Sequence, residues 1–202
     1  MSRLRFSLAV SVFLVVSVPH SPAKSAPKLT NATVMIIRHA EKPEAGPDLS
    51  PAGLARARAY VGYFQSLILD SHPIKIDHLF ATKESKNSNR PQETLLPLSS
   101  ALRLKLHTSF GLTDEQHLAN KILSSYDNET VLICWHHGAI PDLLKDLGAH
   151  PKTILPGGTW PDDVFGWLVV LHYDEHGEIS GKVYNEEITQ EDAKHPPPVT
   201  GE

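Results

Sequence analysis

The chain holds a single cysteine, Cys134, among its 202 residues, so no intrachain disulfide can form. That cysteine lies in the apolar run Val131-Leu132-Ile133-Cys134-Trp135, a core setting rather than that of a nucleophile. Basic excess is also missing: 19 Lys and Arg stand against 23 Asp and Glu, a formal charge of -4. This argues against a nucleic-acid partner, which needs clustered positive charge, so any cationic site must be local. Histidine is plentiful, at 12 residues, yet no Cys-x-x-Cys or His-Glu-x-x-His spacing occurs. Adjacent His136-His137 cannot easily ligate one ion, because successive strand residues face opposite ways. The expectation is no metal and no cofactor. Finally, the apolar stretch Phe6 to Val18 falls short of the ~20 residues a spanning helix needs.

Arg3 and Arg5 precede that stretch, and small residues follow in Ser21-Pro22-Ala23 and Ala23-Lys24-Ser25. This is the layout of a secretory signal peptide. Residues 1–25 are expected to be a signal peptide, and the mature chain to begin between Lys24 and Pro27. That implies a secreted or periplasmic protein with no membrane association after cleavage. With 41% hydrophobic and 21% charged residues, the rest suits one globular domain, over 30–190. Residues 191–202, with Pro196-Pro197-Pro198, are expected to form a disordered tail.

Within the domain, short apolar runs alternate with helical patterns. This predicts the α/β class: a three-layer α/β/α sandwich with a mostly parallel central sheet. Thr33 to Ile37 reads as the first strand. Ser50-Pro51 opens a helix, with Ser as N-cap and Pro at the first helical position. Ile76 to Ala81 is a second strand, and a helix runs from Arg90 to Leu102 behind Pro91. Arg103 to His107 reads as a third strand. Thr113 and Gln116 have capping-box spacing for a helix to about Ser125. Thr130 to Trp135 is a buried strand, followed by a helix from Gly138 to Leu147 that Gly148 closes. A loop, Ala149 to Asp163, is long enough to cover a site. Strands at Phe165 to His172 and Lys182 to Ile188, turned by His176-Gly177, finish the sheet antiparallel at its edge.

Chemistry gathers where strands end. Arg38-His39 closes the first strand, Arg90 begins a helix after the second, and His137-Gly138 joins a later strand to its helix. In a parallel sheet such turns converge above the carboxyl edge, where ligands bind. An imidazole is largely neutral and nucleophilic near pH 7, and a guanidinium holds a phosphoryl group through two hydrogen bonds. Two arginines and two histidines suit a dianionic phosphoryl group better than a carboxylate, which has too few acceptor sites for them.

These segments resemble the histidine phosphatase superfamily, also called phosphoglycerate mutase-like. Ile37-Arg38-His39-Ala40-Glu41-Lys42-Pro43 is similar to its R-H-G/A motif. Leu49-Ser50-Pro51-Ala52-Gly53 with Ala55-Arg56-Ala57 resembles the helix motif that follows, and Arg90-Pro91-Gln92-Glu93-Thr94 the R-A/P-x-x-T segment. Val131 to Ile140 resembles the strand bearing the second histidine. The resemblance implies that His39 is a transiently phosphorylated nucleophile, that Arg38 and Arg90 hold the phosphoryl oxygens, and that His137 donates to the same group. His136 is expected to face away. The chain departs from the pattern at Ala40, in the longer loop Thr82 to Asn89 before Arg90, and in having no His-Asp pair at the second histidine, which counts against the acid phosphatase and phytase branch. The leaving-group acid is open among Glu115, Asp114, Glu41 and Asp163.

The function so implied is an exported phosphatase acting on a small-molecule phosphate ester. The alternatives are a non-catalytic phosphate-binding module on the same fold and a phosphoglycerate mutase-like phosphotransferase.

Overall fold

Strand β1, Ala32–Arg38, is the centre of the molecule: every residue but Thr33 is buried. The computed structural model of the chain describes residues 28–197. The expected signal peptide and residues 198–202 lie outside the described residues. The remaining sheet strands are β4 (His78–Ala81), β5 (Leu106–His107), β6 (Thr130–Trp135), β7 (Trp167–Tyr173) and β8 (Ile179–Asn185). A small separate hairpin, β2 (Ile68–Leu69) with β3 (His72–Pro73), was not expected from the sequence. The six-stranded sheet runs β5-β4-β6-β1-β7-β8. Pairing is parallel from β5 through β1, antiparallel between β1 and β7, and antiparallel between β7 and β8. Only β7 therefore runs against the others, so the loop that precedes it arrives at the edge where β1, β4 and β6 end.

Helices α1 (Pro51–Gln65) and α2 (Arg90–Leu102) cover one face, burying Tyr60, Phe64, Leu95 and Leu98 on Met35 and Ile37. Helices α3 (Glu115–Leu123) and α4 (Ile140–Asp146) cover the other, burying Ile122, Leu143 and Leu144 on Val34 and Ile36. The result is the expected three-layer sandwich. At ~1.5–3 kcal/mol for each fully buried Leu, Ile or Phe, these two faces dominate its stability. Both faces of β1 are apolar, so only its end distinguishes the registers. A slip of one residue would exchange the faces taken by Arg38 and His39.

Local signals account for α1. The Ser50 side chain accepts from Gly53 N at 3.1 Å, and Pro51 occupies the first turn. Gly53 is required by packing, since a Cβ there would collide with the Glu41 carbonyl oxygen. The capping box at Thr113 does not form. Asp114 takes the N-cap position, and its side chain instead accepts from Gly111 N at 2.7 Å. The loop 149–163 is more ordered than expected, containing a short helix, α5 (Pro151–Ile154), and a 3-10 turn, Pro156–Gly158.

The tail also differs from the expectation in its described part. Asp192–Lys194 forms a 3-10 turn, and Asp192 is buried, 3% exposed, against Arg56. The physical reason is charge: Arg56 is itself buried and takes Asp192 at 2.7 Å, Glu41 at 2.8 Å and Glu186 at 3.3 Å. A desolvated guanidinium requires such partners, and the turn supplies one.

Candidate active site

The last β1–β6 pair is Arg38 with Trp135, and His39 N continues the ladder to Trp135 O at 3.0 Å. Strand alternation then divides the two side chains between the faces of the sheet. Arg38 follows Ile36 to the α3–α4 face, where its guanidinium stacks 3.8 Å from the Phe165 ring centroid. Its Nη1 donates to the carbonyls of Pro161, Asp162 and Val164 at 3.2, 2.9 and 2.8 Å. Those carbonyls come from the loop leading into β7. The guanidinium is thus fixed by backbone, with its Nε buried and without a hydrogen-bond partner. Burial lowers its pKa to about 10, which leaves it charged at neutral pH.

His39 follows Ile37 to the other face. Its Nδ1 lies 2.7 Å from Ala40 O. A carbonyl only accepts, so Nδ1 carries the proton and Nε2 keeps its lone pair. Burial, with the nearby Arg38, His136 and Arg90, depresses the pKa to about 3. The ring is therefore neutral across the physiological range, with the Nε2 lone pair unprotonated. Ala40 packs with Leu49 and Ala57, and its N donates to Thr94 Oγ1 at 2.9 Å, tying the turn at His39 to α2.

Arg90 opens α2, half-buried, with Nη1 donating to Gly46 O at 3.0 Å. Its Nε, like that of Arg38, is buried and unpartnered. Arg38, His39 and Arg90 line one cleft of about 430 Å3, together with His136, His137 and Glu115.

Of the two adjacent histidines, His137 lines the cleft as expected and His136 departs from expectation. His136 does not turn away: its ring lies 5.1 Å from that of His39, edge-on at 72°. The parallel register explains this, because His136 stands one step beyond Trp135 as His39 stands one step beyond Arg38. His137 lies in the turn beyond the strand, with Nδ1 3.3 Å from the exposed Asp162 carboxylate but not aligned for a hydrogen bond. Both rings reach the cleft because the strand ends at Trp135 and alternation ends with it. Burial and the neighbouring Arg90 lower the His136 pKa to about 4, so its ring is neutral near pH 7.

Of the acid candidates, only Glu115 lines the cleft. Asp114 holds the Gly111 amide, Glu41 Oε1 is taken by Arg56, and Asp163 borders the separate Arg56 cavity. Burial raises the Glu115 pKa, which favours the protonated form a proton donor needs. The sequence reading missed Lys42, Leu112 and Asp142, which also border the cleft. Lys42 had a signal, its place three residues after His39; Leu112 and Asp142 had none. Among the described residues, no group of three or more His, Cys, Asp or Glu side chains could hold a metal ion.

No protein-family model and no curated protein matches the sequence. Solved structures do match by fold. One is described as a candidate phosphohistidine phosphatase SixA from Agrobacterium tumefaciens, with TM-score 0.51 and 16% identity, covering 74% of this chain and 96% of that one. Another is the protein histidine phosphatase SixA complexed with tungstate, with TM-score 0.48 and 17% identity, covering 76% and 97%. A phosphoglycerate mutase from Bacillus anthracis str. Sterne matches with TM-score 0.45 and 12% identity, covering 85% and 99%.

Proposed function

From a chain with the phosphoglycerate mutase-like fold of the histidine phosphatases, we propose a phosphatase that hydrolyses phosphate monoesters through a phosphohistidine on His39. One observation carries this reading. Arg38 and Arg90, each with an Nε that takes no protein partner, border the cleft that holds a neutral imidazole. An unpaired donor costs ~1–3 kcal/mol, and more where the group is charged, so this pair of guanidiniums favours an anion with several acceptors.

The chemistry follows from the placement. His39 Nε2 attacks phosphorus, forming the N–P bond as the P–O bond to the leaving group breaks. Positive charge developing on the ring is stabilised through Nδ1–H by the Ala40 carbonyl. Arg38, Arg90, His136 and His137 face the charge on the peripheral phosphoryl oxygens, where positioned donors do most of the work of phosphoryl transfer. Glu115 gives its proton to the departing oxygen. In the second step Glu115, now ionised, takes a proton from water as it attacks phosphorus, the N–P bond breaks, and inorganic phosphate leaves.

The test is hydrolysis of p-nitrophenyl phosphate by the purified protein, with acid-labile phosphate recovered on the His39 peptide after a quench. His39→Ala is expected to lose several orders of magnitude in kcat with an unchanged circular dichroism spectrum. Full activity in that variant ends the reading. Phosphate binding without turnover by the wild type points instead to a non-catalytic module. Turnover is expected to survive chelation of divalent ions. Export is a further part of the proposal, supported by the leader composition around Arg3, Arg5 and Phe6 to Val18. N-terminal sequencing of exported material checks it, and an intact Met1 chain in the membrane fraction counts against it.

A further inference from the structure

The catalytic cleft adjoins a second one. Asp142, on the first turn of α4, borders both, and the second cleft is the larger at about 540 Å3. Pro141 and Lys145 of α4 form one wall; Ala149 to Lys152 and the glycines of the 3-10 turn form the other. Nothing in the two-step chemistry uses this space, although it falls in the size range of small-molecule sites.

Its side chains have a consistent character. Pro141, Ala149 and Pro151 give apolar walls, and Lys145, His150 and Lys152 supply the cationic groups. Lys145 and Lys152 both border this cleft, and neither forms a salt bridge among the described residues, so nothing there competes for them. Lys152 is also positioned by the backbone. Gly158 has φ +82°, and a Cβ there would lie 2.9 Å from Lys152 Cγ, so the absent side chain makes room for the lysine stem. Two lysines on facing walls of one cleft beside apolar surface, one of them seated by a left-handed glycine, form a setting for an anion. Asp142, between the clefts, repels negative charge at the ridge and accepts hydrogen bonds from hydroxyls.

We propose that this second cleft is a substrate subsite for an acidic group carried beyond the reacting phosphate. The preferred substrates are then phosphate monoesters with a second phosphate or a carboxylate, joined through an uncharged spacer that crosses Asp142. This rests on the phosphatase reading for the reacting end, while the binding of the second anion is testable without turnover.

The experiment compares α,ω-alkanediol bisphosphates of increasing chain length with the monophosphates of the same diols. Wild type, Lys145→Ala/Lys152→Ala and the corresponding double Arg variant are assayed for kcat/KM. At some chain length the wild type is expected to prefer the bisphosphate by about 5- to 10-fold, the yield of two partly exposed charge pairs. The preference resides in KM, shrinks as salt is added, disappears in the double Ala variant and persists in the double Arg variant. A ratio near one at every length overturns the proposal. So does a ratio the double Ala variant leaves intact, or an equal loss on both ester series, which would mark a structural role. Calorimetric titration of the same compounds into His39→Ala reads the subsite independently. If no ester is hydrolysed but the bisphosphate still binds about 5- to 10-fold tighter in a lysine-dependent way, the phosphatase reading fails and the subsite stands.

Discussion

Replacing His136 and His137 in turn by alanine tests which of the two adjacent rings serves the transferring phosphoryl group. The His136 ring centroid is 5.1 Å from that of His39, on the same face of the sheet. His137 lies in the turn beyond, next to a carboxylate that is 94% exposed. Burial holds the His136 pKa down to about 4, so on the proposed mechanism the ring acts as a neutral N–H donor rather than a cation. Loss of one preorganised donor to developing oxyanion charge costs ~10²–10³ in kcat, or ~2.7–4 kcal/mol, and a neutral donor belongs at the lower end of that range. His136→Ala is therefore expected to lower kcat by about 10²-fold, and His137→Ala by less than about tenfold, since the His137 ring lies beyond the strand end beside Asp162 rather than against His39. His136→Gln, which restores a donor, should recover part of the loss. Steady-state kinetics on p-nitrophenyl phosphate, with circular dichroism to confirm folding, give the measurement. If His137→Ala proves the more damaging while His136→Ala turns over normally, the register argument is wrong.

Glu115→Gln should slow alkyl phosphates by roughly 10²-fold or more while leaving p-nitrophenyl phosphate nearly untouched, because p-nitrophenolate leaves without a proton; equal loss on both would remove Glu115 as the acid. Arg56→Met leaves buried carboxylates without their cation, at a cost of about 3–5 kcal/mol, seen as a fall in Tm of roughly 6–20 °C for a domain of this size; an unchanged Tm refutes that account. In the same cluster burial lifts the Glu186 pKa from 4.5 to about 8, so its contribution to stability is present below pH 4.5 and lost as pH rises through 8. Glu186→Gln should flatten that decline in urea unfolding measured between pH 5 and 8.5, and an unaltered slope would point to another group.

The sequence by itself determined the elements whose signals are local. The α2 helix begins at Arg90 and ends at Leu102 as its Pro91 start predicts, β6 spans Thr130–Trp135 as its apolar run predicts, and Ser50 caps α1. The order of strands and helices was likewise enough for the layered sandwich, and Arg38-His39 marked the sheet edge that holds the cleft. What remained depended on contacts between distant segments, which local periodicity does not encode. Alternation along a strand suggested that His136 faces away from the chemistry. The pairing of β6 with β1 decided otherwise, because neighbours in a parallel register share a face. Arg38 is held by carbonyls more than a hundred residues along the chain, brought there because β7 enters the sheet antiparallel. That Glu115 borders the cleft while Asp114, Glu41 and Asp163 do not is likewise a matter of tertiary placement. The turn at Asp192 is ordered for the same kind of reason: a buried Arg56 needs counter-charge, and only the folded chain brings the two together.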